Sequence, residues 1–254
     1  MSPLLEVRNV SRRFGGVYAL DDVSLDVDEA AIVGLIGPNG AGKTTLFNVV
    51  SGLLSAHGGR IRFDGEEIAE EPGHRRAARG IARSFQNLGL MLDETAEDNV
   101  LASLHRSAPY RGPDVVLRPW RRREGERYLR ARASDAMNRF NLLADRERRV
   151  RDLSFAKARF VELAAVVAEQ PRLMLLDEPT TGLDVAEIGT LGTILSEIHR
   201  AGATILLVAH DVGFVMGFCD YVYVLAEGRL LFHGEPGDVQ SNPAVIEAYL
   251  GRSA

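Results

Sequence analysis

Gly37-Pro38-Asn39-Gly40-Ala41-Gly42-Lys43-Thr44-Thr45 is the stretch on which the fold turns. Gly37, Gly42, Lys43 and Thr44 stand where a phosphate-binding loop, G-x-x-x-x-G-K-[ST], requires them. Ahead of it, Ala31-Ile32-Val33-Gly34-Leu35-Ile36 is a short apolar run suited to a buried parallel strand. Behind it, Leu46-Phe47-Asn48-Val49-Val50 continues as a helix with a mostly apolar face. Strand, glycine turn and helix N-terminus in that order are the setting in which the motif carries chemistry. The glycines let backbone N–H groups turn inward without Cβ clashes, and those donors together with the helix dipole favour an anion. Lys43 then reaches the β- and γ-phosphates of a nucleotide, and the Thr44 hydroxyl ligates Mg²⁺. The plain alternative is a glycine-rich turn with a solvated lysine, and it weakens as partner residues accumulate.

Such a loop needs a carboxylate for its metal and a group to activate or orient water. Leu173-Met174-Leu175-Leu176-Asp177-Glu178-Pro179 offers four apolar residues followed by two acids. Asp177 falls at the carboxyl end of a buried strand, the edge of an α/β sheet where ligands bind, and is read as the metal carboxylate. Glu178 turns the other way, toward the γ-phosphate, as acceptor of the water's proton. Ala203 to Ala209 repeats the strand pattern and delivers His210 to the same edge, within reach of the γ-phosphate. Gly80 to Gln86 reads as a third strand, with Gln86 as a sensor of water or metal. Each has a bland explanation alone, since strand-end acids cap helices and a lone histidine is usually structural. Together with the loop they describe a nucleoside triphosphatase site.

Around this constellation the chain reads as α/β. Val185 to Arg200, between the last two strands, completes a β-α-β unit and hence a parallel sheet. Leu5 to Val10 and Val23 to Val27 alternate apolar and polar, and Gly58 to Gly65 is a strand between glycine turns, so the front third carries an antiparallel portion. Phe14, on a turn before the loop, is open to two readings, stacking on a purine or core packing. Thr95-Ala96-Glu97-Asp98 opens a helix like a capping box, with Asp98 in the usual Glu or Gln place. Trp120 to Asn141 reads as one long exposed helix, and Ser154 as the N-cap of a helix running to Glu169. Tyr221 to Leu225 and Arg229 to Phe232 form a terminal hairpin.

Composition narrows the function classes. At 254 residues, 46% hydrophobic and 26% charged, the chain is an ordinary globular one with room for a sizeable core. A net charge of −5 gives no global attraction to nucleic acid, so nucleic acid is not an expected partner. Cys219 is the only cysteine, which fits a reducing cytosol, and no apolar run reaches the roughly 18 residues of a membrane span. Only two lysines occur, Lys43 and Lys157, where the chain otherwise uses arginine. A compact ammonium at the phosphates explains the first.

These motifs, spread over nearly the whole chain, resemble the ATP-binding-cassette (ABC) nucleotide-binding subunits. Phe14 matches the adenine-stacking aromatic, Gly37 to Thr45 the Walker A loop and Gln86 the Q-loop. Leu153 to Arg159, with Ser154, Ala156 and Lys157, falls at the family signature. Leu173 to Glu178 falls at Walker B with the catalytic glutamate, Gly182-Leu183-Asp184 at the D-loop, and His210 at the switch histidine. The resemblance implies a single cassette over 1–254, with a RecA-like P-loop NTPase core and antiparallel lobe (1–86 and 160–254) and an inserted helical subdomain (87–159). It implies ATP and Mg²⁺ as cofactors, with Thr44, Gln86 and Asp177 at the metal. It also implies a head-to-tail dimer with a second ATPase subunit, docking on transmembrane permease subunits, and indirect service to a periplasmic or extracellular solute-binding protein. The place of work is then the cytoplasmic face of a membrane. Gly80 to Asn87 and the ending Asn242 to Gly251 look like the larger, LivG-type ATPase subunit of branched-chain amino-acid importers. The rival readings are a soluble cassette acting on nucleic acid or ribosomes and a regulatory cassette that binds ATP without turnover.

One departure stands out. The family signature is Leu-Ser-Gly-Gly-Gln, and here its fourth and fifth places are Ala156 and Lys157. A methyl in place of the glycine crowds a partner-bound phosphate, or costs about 1–2 kcal/mol if the residue needs positive φ. Lys157 offers a compensating cation. The expectation is an asymmetric heterodimer in which this chain's Walker residues serve a competent site and its signature a weaker one, with a tolerated variant as the alternative.

Overall fold

The computed structural model describes residues 3–84, 89–107, 119–209 and 211–250. In chain order the elements are β1 (Leu5–Phe14), β2 (Val17–Val27), β3 (Ile32–Ile36), α1 (Lys43–Val50), β4 (Gly58–Phe63), β5 (Glu66–Glu67), α2 (Gly73–Ala78), β6 (Ile81–Arg83), α3 (Ala96–Ser103), α4 (Pro119–Arg139), α5 (Phe155–Ala168), β7 (Leu173–Asp177), α6 (Val185–Arg200), β8 (Thr204–Val208), α7 (Val212–Phe218), β9 (Tyr221–Ala226), β10 (Arg229–Gly234), α8 (Pro236–Ser241) and α9 (Pro243–Leu250). They form two compact units, one of Met1–Arg83, Arg172–Thr181 and Leu195–Ala254, the other of Ser84–Pro171 and Gly182–Ile194.

The first unit holds two sheets. A six-stranded one runs β10-β9-β3-β8-β7-β6, parallel except for the β9–β10 hairpin, and a four-stranded antiparallel one runs β2-β1-β4-β5. Every residue of β3, β7 and β8 is buried, which is why these strands read as unbroken apolar runs. In β1 the inward residues Leu5, Val7 and Val10 are buried, and the alternation slips where Asn9, at φ 51°, makes a bulge against β2. These side chains join Val23, Leu25, Leu46, Phe47, Leu175 and Leu206 in one core. Fully burying one such side chain stabilises by about 1.5–3 kcal/mol. The β9–β10 turn places Glu227 and Gly228 both at positive φ, as a two-residue hairpin loop demands.

The second unit is helical. Ala96 and Val100 of α3, Leu129, Ala133, Ala136 and Met137 of α4, and Val161, Leu163 and Ala164 of α5 make its buried faces. Phe140 and Phe160 meet there with ring centroids 5.9 Å apart. The long helix expected from Trp120 onward is present, but exposed on one side only. Its stripe at 129, 133, 136 and 137 follows the helical repeat and is buried against α3 and α5. Dense arginines on the other face hid that stripe. At the start of α3 the Thr95 Oγ1 accepts from the Asp98 N–H at 3.0 Å and donates to Asp98 Oδ2 at 2.6 Å. The short aspartate thus turns to the cap hydroxyl instead of the cap amide that a glutamate would reach. No helix of the described residues is long and apolar enough to cross a membrane.

Candidate nucleotide site

β3 ends at Ile36 and α1 begins at Lys43, so the loop between them is what the parallel sheet presents at its carboxyl edge. Two glycines make its shape possible. Gly42, the N-cap of α1, has φ 103°, and a Cβ there would stand 2.4 Å from the Ala19 carbonyl oxygen. Gly37 has φ 151°, and a Cβ there would stand 2.1 Å from the Leu225 carbonyl oxygen. Backbone from β2 and β9 therefore closes on the loop from both sides, and the Gly228 N–H ties it further by donating to Ala41 O at 3.1 Å. Lys43 is 6% exposed, and its Nζ donates to Gly37 O at 2.7 Å and Pro38 O at 3.1 Å. Burial pushes its ammonium below the ordinary lysine value, against the pull of the Glu178 and Asp177 carboxylates. Both acids are thus within electrostatic reach of the loop lysine.

The sheet register explains that reach. Val208 of β8 is paired with Leu35 on one side and with Asp177 on the other, so the three residues stand level. Adjacent strands are about 4.8 Å apart, which sets Asp177 roughly 10 Å from the strand that launches the loop. Asp177 is fully buried. Glu178 continues the ladder through its N–H to Val208 O at 2.8 Å, then turns away at φ 50°. A left-handed conformation costs a non-glycine residue about 1–2 kcal/mol, and such strain concentrates where chemistry needs a side chain re-aimed. The Glu178 Oε2 accepts from Thr181 Oγ1 at 3.2 Å. Arg83, at the end of β6, donates from Nη2 to Asp177 Oδ2 at 2.8 Å, an ion pair that no sequence spacing announced. Gln86 and His210 lie outside the described residues; β6 and β8, which lead toward them, run parallel to β7.

Phe14 closes β1 and is 49% exposed, with the Arg12 guanidinium 5.0 Å from its ring centroid. Core packing is therefore not its role. Val17 and Tyr18 are also exposed at this hairpin tip, two residues or fewer before the Ala19 carbonyl that meets Gly42.

In the helical unit, Ser154 caps α5 by accepting from the Lys157 N–H at 3.3 Å. Ala156 is buried and is not among the residues of positive φ, so the backbone strain anticipated for an alanine there does not arise. The Lys157 Nζ lies 2.6 Å from Asp145 Oδ2, and Arg148 holds Oδ1 at 2.7 Å. The Lys157 contact first, and Arg148 with it, keeps the Asp145 carboxyl below the usual carboxylate range despite burial. Phe155 is half exposed and its ring lies where a side chain on Gly182 would be. Asp184 caps α6: its Oδ1 accepts from the Glu187 N–H at 2.8 Å, and Glu187 Oε2 accepts from the Asp184 N–H at 2.9 Å. The Asp-x-x-Glu spacing of Asp184 and Glu187 carries this capping box in the sequence itself.

For a divalent metal the unit offers hard oxygen donors, the Asp177 carboxylate and the exposed Thr44 hydroxyl at the start of α1. Among the described residues no three His, Cys, Asp or Glu side chains gather as a metal cage. That combination suits Mg²⁺, which takes one or two protein oxygens and completes its shell with phosphates and water.

Comparison with known proteins agrees with this geometry. The family model described as ABC transporter matches residues 20–181, and that of the branched-chain amino acid ATP-binding cassette transporter matches residues 229–254. The chain is 37% identical over 252 residues, 99% of each chain, to the high-affinity branched-chain amino acid transport ATP-binding protein BraF of Pseudomonas aeruginosa. It is 35% identical, at the same coverage, to the corresponding protein LivG of Escherichia coli. It is 33% identical to the lipopolysaccharide export system ATP-binding protein LptB of Haemophilus influenzae, over 98% of this chain and 97% of that one. The structure superposes on a nucleotide-free ATP-binding cassette from an ABC transporter with a TM-score of 0.86 at 27% identity, covering 98% and 99% of the two chains. Loop, strand-end carboxylates and full-length similarity converge: the chain belongs to the ABC transporter family, as an ATP-binding, ATP-hydrolysing subunit.

Proposed function

We propose that this ATPase powers import of branched-chain or related amino acids, working at the cytoplasmic face of a membrane beneath permease subunits and paired head-to-tail with a second cassette. The similarity to BraF and LivG over the full chain and the match at residues 229–254 support the amino-acid reading over export. An extracytoplasmic solute-binding protein would deliver the solute. No part of the cassette meets the solute, so substrate identity belongs to the other subunits.

The observation that carries the chemistry is the level register of Leu35, Val208 and Asp177, which brings the Gly37–Thr45 loop and two carboxylates to one sheet edge. Backbone N–H groups of the loop and the α1 N-terminus receive the phosphates, and the Lys43 ammonium shifts its donors from Gly37 O and Pro38 O to phosphate oxygens. Thr44 and Asp177, with Gln86, would hold Mg²⁺, which would supply positive charge against the phosphates. The Glu178 carboxylate takes the proton of the attacking water as the γ-phosphorus–oxygen bond to ADP breaks. His210 contacts the γ-phosphate, and Phe14 stacks on the adenine. Ser154, Ala156, Lys157 and Asp184 would face the nucleotide held by the partner cassette.

Ala156 and Lys157 support an asymmetric pair. Their ammonium is engaged by Asp145 and their methyl stands at a helix N-terminus where the family has glycine. The decisive experiment is Mg²⁺-dependent ATP hydrolysis by the chain with its partner subunits. Glu178→Gln should lower turnover by about 10²-fold or more with ATP affinity retained, in line with loss of a general base. Undiminished turnover would overturn the assignment. Restoring glycine and glutamine at 156 and 157 should raise turnover of the complex, and an unchanged rate sinks the asymmetry.

A further inference from the structure

Arg83 is used by none of the roles above, yet it stands against the aspartate on which the metal site depends. It is the last residue of β6, paired in register with Leu175 of β7. Its side chain is only 8% exposed, and that of Asp177 not at all. The guanidinium is fixed on several sides. Nη2 reaches Asp177 Oδ2 at 2.8 Å, while Nη1 reaches Asn48 Oδ1 at 2.6 Å and Ser51 Oγ at 3.1 Å. The ring centroid of Phe47 lies 5.7 Å from its carbon. Asn48, Ser51 and Phe47 all belong to α1 or its C-cap, the helix that begins with Lys43 and Thr44. The arginine therefore joins the strand carrying Asp177 to the far end of the phosphate-loop helix.

A buried carboxylate with no counter-charge is expensive, and an arginine fork held by three other groups cannot swing away without breaking them. We propose that Arg83 is a positioning residue, a built-in counter-cation that orients Asp177 and offsets its charge so that the loop accepts ATP before any metal arrives. The inference rests on the reading of Asp177 as the metal carboxylate. Its consequence is specific. Without Arg83 the Asp177 carboxylate loses the cation held at 2.8 Å and repels the phosphates more strongly, and Mg²⁺ makes good the missing charge. A merely structural arginine would weaken ATP binding alike with and without metal.

The test is equilibrium binding of ATP to the full chain in Mg²⁺ and in EDTA. Arg83→Gln should weaken metal-free binding on the order of tenfold and Mg²⁺-ATP binding by less than about threefold, while Arg83→Lys stays near the parent. In Arg83→Gln/Asp177→Asn the metal-free loss should disappear, since the repelling charge has gone. Equal losses in the two conditions, no loss, or a loss that persists in the double variant each overturn the proposal. Should Arg83→Gln fail to fold, the unaltered chain still decides. It should bind ATP in EDTA within about tenfold of its affinity in Mg²⁺, because a fixed arginine already offsets Asp177. Measurable binding only in Mg²⁺ would overturn the proposal. Separately, Asp177→Asn should raise the Mg²⁺ concentration that half-saturates ATP hydrolysis by the assembled complex by about tenfold or more; an unchanged value overturns the metal assignment, whatever Arg83 does.

Discussion

The two lysines of this chain sit at equivalent places in two different units and do opposite things. Lys43 opens α1 and Lys157 lies in the first turn of α5. Lys43 is 6% exposed, its donors rest on two loop carbonyls, and burial lowers its proton affinity. Lys157 keeps 44% of its side chain exposed and spends its charge on Asp145. A carbonyl is a weak hold for an ammonium, and phosphate oxygens would win the exchange because charge-assisted hydrogen bonds are roughly twice as strong. A carboxylate flanked by Arg148 is a far better one. The same side chain is thus poised in one unit and tethered in the other, and its neighbours make the difference.

The hardest blow to this contrast would come from replacing each lysine in turn. Lys43→Ala should weaken ATP binding by about 10²-fold or more, because a buried charge-assisted contact to phosphate is lost, whereas Lys157→Ala should change it less than about threefold in the isolated chain. Calorimetric titration of both variants checks this, and comparable losses would erase the distinction.

The next effect in size concerns the residues beside them. Gly42→Ala places a methyl 2.4 Å from the Ala19 carbonyl oxygen at φ 103° and should weaken ATP binding by about tenfold. Ala156→Gly meets no such obstacle, as Ala156 already has an ordinary helical backbone, and should lower stability by no more than about 1 kcal/mol. Melting curves beside binding isotherms separate the two. A Gly42→Ala chain that binds normally would mean that the loop backbone is not what β2 holds in place.

The smallest effect is a pH dependence confined to the helical unit. Asp145 holds its proton less tightly folded than unfolded, so its ion pairs stabilise in full above the unfolded carboxylate value of about 4 and fade as pH falls through the lower folded one. Lys157→Gln removes the largest of those contacts. Its melting temperature should therefore fall less than the parent's between roughly pH 5 and roughly pH 2.5. Parallel falls in the two chains would show that the Lys157 contact adds nothing.

What could be read in advance depended on range. The loop, the buried strands β3, β7 and β8, the Ser154 cap and the β-α-β unit are all written in patterns a few residues long, and periodicity exposes them. The two-sided reading of Phe14 needed its surroundings, because an aromatic side chain looks the same in sequence whether half exposed or buried. The long helix from Pro119 was legible, but its buried stripe of Leu129, Ala133 and Met137 was masked by arginines on the opposite face.

The sequence by itself determined the phosphate-loop pattern of Gly37 to Thr45, and that Asp177 and Glu178 leave one strand side by side. Local chain geometry is enough for both, since a glycine turn or a strand end is defined by its own residues. Only the tertiary structure decided which charges meet. Arg83 finds Asp177 across 94 residues, Lys157 finds Asp145 across 12, and Glu178 adopts its left-handed turn at the end of a ladder with Val208. Electrostatic pairing depends on distance and burial in space, and no spacing along the chain encodes either.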